Sequence, residues 1–268
     1  MNMRVLPLVV AQLCAGAVQA GDFEDGVAAY NQQDYTTALT KWRSAAQQGS
    51  ATAHFNLGLM YEKGQGVAQD YAEAVHWYKL AALGGYAGAQ LNLGFMYNLG
   101  RGVAQDYKEA VRWYQLAAQQ GNAQAQYNLG FMYEKGQGVA QDYAEVVRWY
   151  RLAAQQDFAD AQRNLGVMYC YGQGVAQDYM EAIRLYNLAA QQGDYLAQYN
   201  LGLMYQNGQG LLQDCVRAHM WFSIAAVGGD SDSTRNRDTL ARKMTPQQIE
   251  QAQRMARACM NSNFTKSD

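Results

Sequence analysis

Proline is almost missing from this chain: Pro7 and Pro246 are the two it has in 268 residues. Proline-rich linkers are thereby excluded, and between those positions no ring stands in the way of a helix. Charge is scarce too. Charged residues make up 16% of the chain and the net charge is −2, against roughly 25% charged residues in an average globular protein. No run of five like charges occurs, so there is neither a basic footprint for nucleic acid nor a charged interaction tail. The four cysteines and three histidines fall in no zinc-finger spacing and make no disulfide framework. Core stability must therefore come from packing.

The first twenty residues differ from the rest. Arg4 is their one charge, the stretch from Val5 to Val18 is small and apolar apart from Gln12, and Val18-Gln19-Ala20 puts small residues before Gly21. This composition is that of a signal peptide over residues 1–20, too short to span a bilayer. The sequence before Cys14 lacks the small residues of a lipid-attachment site. Cleavage leaves Cys170, Cys215 and Cys259.

What the chain has in abundance is repetition. Asn-Leu-Gly at 56–58 returns at 92–94, 128–130, 164–166 and 200–202, in steps of 36 residues. A Met-Tyr pair and a Gly-x-Gly loop follow each copy. In residues 51–86, Ala53, Leu57, Met60 and Tyr61 share one face of a first helix. Gly64-Gln65-Gly66 breaks it. Asp70, with Glu73 three places on, is a capping-box start for a second helix from Tyr71 to about Leu83. Two helices on so short a connection pack antiparallel. Gly58 and the alanines let them approach, and Leu57, Trp77 and Tyr78 fill the space. One pair cannot bury this apolar surface alone, so neighbouring copies must cover it.

The organisation read from this period is a signal peptide at 1–20 and a shorter first repeat with a tight turn at 21–50. Five 36-residue repeats follow, at 51–86, 87–122, 123–158, 159–194 and 195–230. A degenerate repeat with a capping helix occupies 231–262 and a tail 263–268. Thr245-Pro246-Gln247-Gln248 starts the last helix. Departures from the pattern are few: Asp157 stands for the end glycine, Leu185 for the tryptophan, Leu211 for the loop valine and Cys215 for the helix-start tyrosine.

The pattern carried by Ala53, Asn56, Leu57, Gly58, Met60, Tyr61, Gly64, Gly66, Val67, Asp70, Tyr71, Ala74, Trp77, Tyr78, Ala81 and Ala82 resembles the Sel-one-like repeat, a relative of the tetratricopeptide repeat. The resemblance covers about residues 21–260. It implies an all-α fold, a right-handed α-solenoid superhelix of antiparallel helix pairs whose first helices line a concave groove, closed by the C-terminal capping helix. It implies a scaffold or adaptor that binds protein or peptide. Envelope assembly, signalling and host contact are its settings among exported bacterial members, and the resemblance does not choose among them.

Positions that vary between otherwise similar repeats are free to carry specificity. Residues 55, 59 and 62 and their equivalents vary along one face of the first helices, mixing aromatic and polar groups as interfaces do. The candidate partner-binding residues are Asn56, Leu91, Asn92, Tyr127, Asn128, Arg163, Asn164, Tyr199 and Asn200. The repeated asparagine has two readings: a ladder of amides for an extended ligand, or a structural hydrogen bond between helices. Tyr127 and Arg163 are the expected anchors.

No nucleophile–base pair appears, so no catalytic residue is assigned. The Gly-x-Gly loops follow helices rather than strands and lack a phosphate loop's Gly-Lys-Ser/Thr ending. The alternative is a metal-binding or enzymatic protein built on Cys215 and His219, four residues apart on one helix. Two ligands are too few for a site, and no cofactor or metal is expected. The expected product is a monomeric, exported, periplasmic or secreted binding protein with no transmembrane segment in its mature chain and no affinity for nucleic acid. A self-assembling structural element is a third reading.

Overall fold

The computed structural model describes residues 20–262; the tail and all but the last residue of the signal peptide read from the sequence lie outside the described residues. Fourteen helices and no strand occur among the described residues. They fall into two compact bodies, one ending at Gly84 and one starting at Gly85. The first contains α1 (Ala20–Asn31), α2 (Tyr35–Gln47), α3 (Ala51–Lys63) and α4 (Tyr71–Leu83). The second contains α5 (Ala87–Leu99), α6 (Tyr107–Gln119), α7 (Ala123–Lys135), α8 (Tyr143–Ala154), α9 (Ala159–Tyr171), α10 (Tyr179–Gln191), α11 (Tyr195–Asn207), α12 (Cys215–Val227), α13 (Ser231–Ala241) and α14 (Pro246–Asn261).

The local chemistry recurs with the repeat. Each long first helix ends on a glycine in the left-handed region, such as Gly136 at φ 64°, whose N–H donates to the Met132 carbonyl. The loop then folds back. In the repeat at 123–158, Gln141 Nε2 donates to the Glu134 carbonyl at 2.7 Å and the Asp142 N–H to the Tyr133 carbonyl at 3.3 Å. Asp142 caps α8 by accepting from the Ala144 and Glu145 N–H groups at 2.9 and 3.2 Å. The capping box closes fully at Thr245 and Gln248. In the inner repeats the acid at the third position turns outward instead: Glu109, Glu145 and Glu181 bind Arg112, Arg148 and Arg184 one turn along. Those carboxylates still lie in the first turn, where the helix dipole favours them.

Packing follows from the Asn-Leu-Gly glycine. A Cβ added at Gly58, Gly94, Gly130, Gly166 or Gly202 would stand 2.5–2.7 Å from a ring carbon of Tyr78, Tyr114, Tyr150, Tyr186 or Phe222. The second-helix ring therefore lies flat on the first helix's backbone, and the pair can approach no other way. Gly26 and Trp42 make the same contact in the shorter first repeat. In the second body every second helix packs on its own first helix and on the next one: α6 on α5 and α7, α8 on α7 and α9, α10 on α9 and α11. The clusters are correspondingly repetitive. Tyr114, Ala117, Leu129 and Met132 gather round Trp149, and Tyr150, Ala153, Leu165 and Met168 round Leu185, each 36 residues on. At the end of the stack, Ala252, Ala256 and Cys259 of α14 are buried in the cluster that holds Trp221 and Ile224 of α12.

Candidate functional site

In the second body the varying first-helix positions converge on one polar and aromatic cluster. Tyr127 on α7 is half-buried, its ring stacked on Tyr150 with centroids 5.4 Å apart and set against Phe158 at 5.3 Å. The Tyr150 hydroxyl donates to Glu134 Oε2 at 2.8 Å. Burial pushes the Tyr127 phenol up, so both tyrosines are neutral hydrogen-bonding groups at physiological pH. From α9, Asn164 Nδ2 donates to the Tyr127 hydroxyl at 3.4 Å. The degenerate repeat copies this contact, with Asn236 Nδ2 donating to the Tyr199 hydroxyl at 3.1 Å.

Asn128 has no such hydroxyl to meet, because the residue one repeat back is Leu91. Its Nδ2 is buried without a hydrogen-bond partner. Asn164 and Asn236 are thus tied by a tyrosine 37 places earlier, and Asn128, with Leu91 there, is not; Asn92 and Asn200 follow Phe55 and Arg163 at that distance.

Arg163 is held from three sides. Its guanidinium meets Asp160 at 2.9 Å and Asp194 at 2.8 Å, and its Nε donates to Asn164 Oδ1 at 3.2 Å. Asp194 also caps α11, accepting from the Ala197 N–H at 2.7 Å. Burial pushes the Asp194 carboxyl up while Arg163 pulls it back. The pair is 14% and 10% exposed; truncating either side would leave a charge uncompensated. Arg163 thus joins α9 to the start of α11.

The other sequence candidates scatter in exposure. Asn92, Asn200 and Tyr199 are half-buried on α5 and α11, and Tyr199 packs on Phe222 at 5.8 Å. Asn56 is buried in the first body. Leu91 is fully buried among Tyr114, Ala118 and Leu129, so its side chain serves the core and presents no surface. Cys215 is half-buried, while His219 is buried with Nδ1 3.3 Å from Ser223 Oγ. No group of three potential metal ligands forms among the described residues, where Cys170, Cys215 and Cys259 are free thiols. No helix among these residues is long and apolar enough to cross a membrane.

One polar network escaped the sequence reading. Gln126 Nε2 donates to the Ala118 carbonyl at 3.1 Å, and its Oε1 accepts from Gln156 Nε2 at 2.8 Å. Gln162 repeats both bonds, to Ala154 and from Gln192, at 3.2 and 2.9 Å. Each glutamine so ties a first helix to the preceding second helix and to its own. The signal was the recurrence of glutamine at 90, 126, 162 and 198 at the repeat spacing; in the first long repeat His54 takes the place.

Stacked helix pairs with a fixed period, glycine-tuned contacts and no gathered catalytic groups among the described residues define an α-solenoid of the tetratricopeptide-like class. The chain belongs to the Sel1 repeat family, whose model matches residues 51–86, 87–122, 123–158, 159–194 and 196–230. Members of this family are scaffolds that typically mediate protein–protein interaction. Among solved structures, the chain is similar to a protective antigen of uropathogenic Escherichia coli strains with an SLR fold, at 33% identity and a TM-score of 0.81. The match covers 91% of this chain and 55% of that one, so the chain spans about half the antigen's length. A Sel1 repeat protein from Oxalobacter formigenes is 34% identical with a TM-score of 0.73, over 88% of this chain and 99% of that one. No curated protein matches the chain.

Proposed function

We propose that the chain is an exported, non-enzymatic scaffold that binds a protein or peptide on the first-helix face around Tyr127, Asn128 and Asn164. The observation that carries this reading is the untied Asn128 amide beside the half-buried Tyr127 ring. A buried amide without a partner costs about 1–3 kcal/mol, and an extended segment that displaces the side chains covering it supplies a carbonyl at every residue to meet it. Tyr127 adds a large, rigid ring with a polar tip, the usual anchor of an interface. Asn92 and Asn200 continue the face on either side, and Arg163 frames it. Export rests on the composition of residues 1–20 and is supported by the likeness to a protein described as a protective antigen. The setting is envelope assembly, signalling or host contact.

The test separates binding from folding. Asn128→Ala removes an amide nitrogen that holds nothing in the fold, so the melting temperature should stay or rise while partner capture falls. Asn164→Ala breaks the bonds to Tyr127 and from Arg163 and should cost about 1–3 kcal/mol of stability. Capture is measured with the chain lacking residues 1–20, against the envelope fraction of its own cell. Undiminished capture by an Asn128→Ala, Tyr127→Ala double variant would sink the proposal.

A further inference from the structure

Two of the departures from the repeat, far apart in sequence, meet at one place. Leu185 stands where Trp77, Trp113, Trp149 and Trp221 stand in the other long repeats, and Asp157 stands where they end in glycine. Both line a cleft of about 330 Å³ in the second body, to which α8, α9 and α10 all contribute. Its apolar lining is the half-buried Leu188 together with Leu165 and Leu185, which are each 2% exposed and reach it only at their edges; Arg151 and Arg184 line it as well.

The other repeats show what such a site holds. Trp149 lies in the equivalent cluster, and Arg148 covers its ring with the guanidinium carbon 4.6 Å from the centroid. Arg112 covers Trp113 in the same way at 5.2 Å. Arg184 is the next residue in this series, one repeat after Arg148, and the same acid holds it: Glu181 accepts from its Nε and a terminal nitrogen, both at 2.7 Å. The cation and its brace are kept while the ring beneath is exchanged for a leucine. Asp157 adds a sign of its own. It takes φ 58°, in the left-handed region, where Gly121 and Gly193 take 87° and 84°. Strain of this kind, retained beside a cleft, points to use of the cleft.

We infer that this cleft receives the side chain of a tryptophan residue in a partner polypeptide, seating from outside the ring that the other repeats supply from within. The volume suits a ring of that size, and a guanidinium over its face adds a cation–π contact. Recognition is by ring rather than by N–H, since Trp113 and Trp149 Nε1 donate to no protein atom in their own seats. A peptide-borne ring fits better than the free amino acid because it brings no ammonium or carboxylate to be desolvated at the rim, where Arg184 is paired with Glu181 and Arg151 and Asp157 have neutral partners, the Tyr169 hydroxyl at 2.9 Å and Gln162 at 3.4 Å. The inference shares no residue with the Tyr127 face and stands or falls apart from it.

The test is titration of the chain with N-acetyl-tryptophanamide, read by NMR on labelled leucine methyls. Saturable shifts of Leu165, Leu185 and Leu188 are expected, with none from N-acetyl-leucinamide and weaker ones from free tryptophan. Arg184→Ala, at an exposed residue, should weaken binding about twofold to fivefold. Leu185→Trp should fill the cleft from within, abolish the shifts and raise the melting temperature. No saturable shift in the parent chain would overturn the inference, as would binding that survives Leu185→Trp, equal or tighter binding of free tryptophan, or a Leu185→Trp chain that loses stability.

Discussion

Gly130→Ala separates packing from helix propensity because the two predict opposite signs. By propensity alone, alanine in the interior of α7 should stabilise by about 1 kcal/mol. Packing opposes this. The new Cβ would lie 2.7 and 2.8 Å from two ring carbons of Tyr150 and 3.4 Å from Trp149 Cβ. Tyr150 cannot give way: it is fully buried, its hydroxyl is bound to Glu134 at 2.8 Å, and its ring is stacked on Tyr127. The ring and the helix must part by several tenths of an ångström, an overpacking cost of about 1–3 kcal/mol and here near the upper end. The net expectation is a loss of about 1–2 kcal/mol, or roughly 2–8 °C in Tm for a chain of this size. Gly130→Val, with more volume and less propensity gain, should lose more. Thermal and urea melts followed by circular dichroism decide it. A Gly130→Ala chain as stable as the parent, or more so, would refute the idea that this glycine sets the distance between α7 and α8.

Asp157→Gly should stabilise. Relief of a left-handed non-glycine residue is worth about 1–2 kcal/mol, of which the freer unfolded chain takes back about 0.4–1. A net gain of about 0.5–1 kcal/mol should raise Tm by about 1–4 °C, and an unchanged or lower Tm would show that Asp157 holds more than its bond to Gln162. The His54 imidazole sits below its ordinary value of 6.5, through burial first and the charge of His76 second. Its folded pKa is depressed, so its contribution is present above pH 6.5 and is lost as pH falls through the folded value. His54→Gln keeps the bond to the Ala46 carbonyl that the glutamines of later repeats make, and should flatten the acid limb of a Tm-against-pH curve; an identical limb would contradict this. Arg163→Ala leaves Asp194 buried without its cation and should cost roughly 2–4 kcal/mol, so a near-neutral melt would mean that the Asp160–Arg163–Asp194 group contributes little.

The helical architecture was legible because its causes are local and repeated. Gly64 and its copies end first helices, Asp70 and its copies start second helices, and Gly58 pairs with Tyr78 at a spacing any one repeat displays. The two free roles of the asparagine were not legible. Whether Asn164 or Asn128 is tied depends on a single residue one repeat earlier, Tyr127 or Leu91, and side chains of adjacent first helices meet only once the repeats are stacked. The same reason hid the structural role of Arg163, whose partner Asp194 lies 31 residues on, at the start of the next first helix. Leu91 was misread as surface because position 55 and its equivalents vary in sequence, yet variation there reflects core size in some repeats and exposure in others. Asp157 and Leu185 were visible as departures; that they share a cleft was not, since 28 residues and a complete first helix separate them.

The central claim is that partners are held on the first-helix face of the second body, and site-directed photo-crosslinking tests it most directly. A photoreactive phenylalanine analogue at Phe131, one turn from Tyr127 on the same half-buried face, is compared with one at Leu116 on the exposed side of α6. Exposed to the envelope fraction, the chain modified at Phe131 should yield a discrete crosslinked protein that Asn128→Ala diminishes, and the chain modified at Leu116 should not. A product from Leu116 alone would place the partner on the opposite side of the stack and contradict the account.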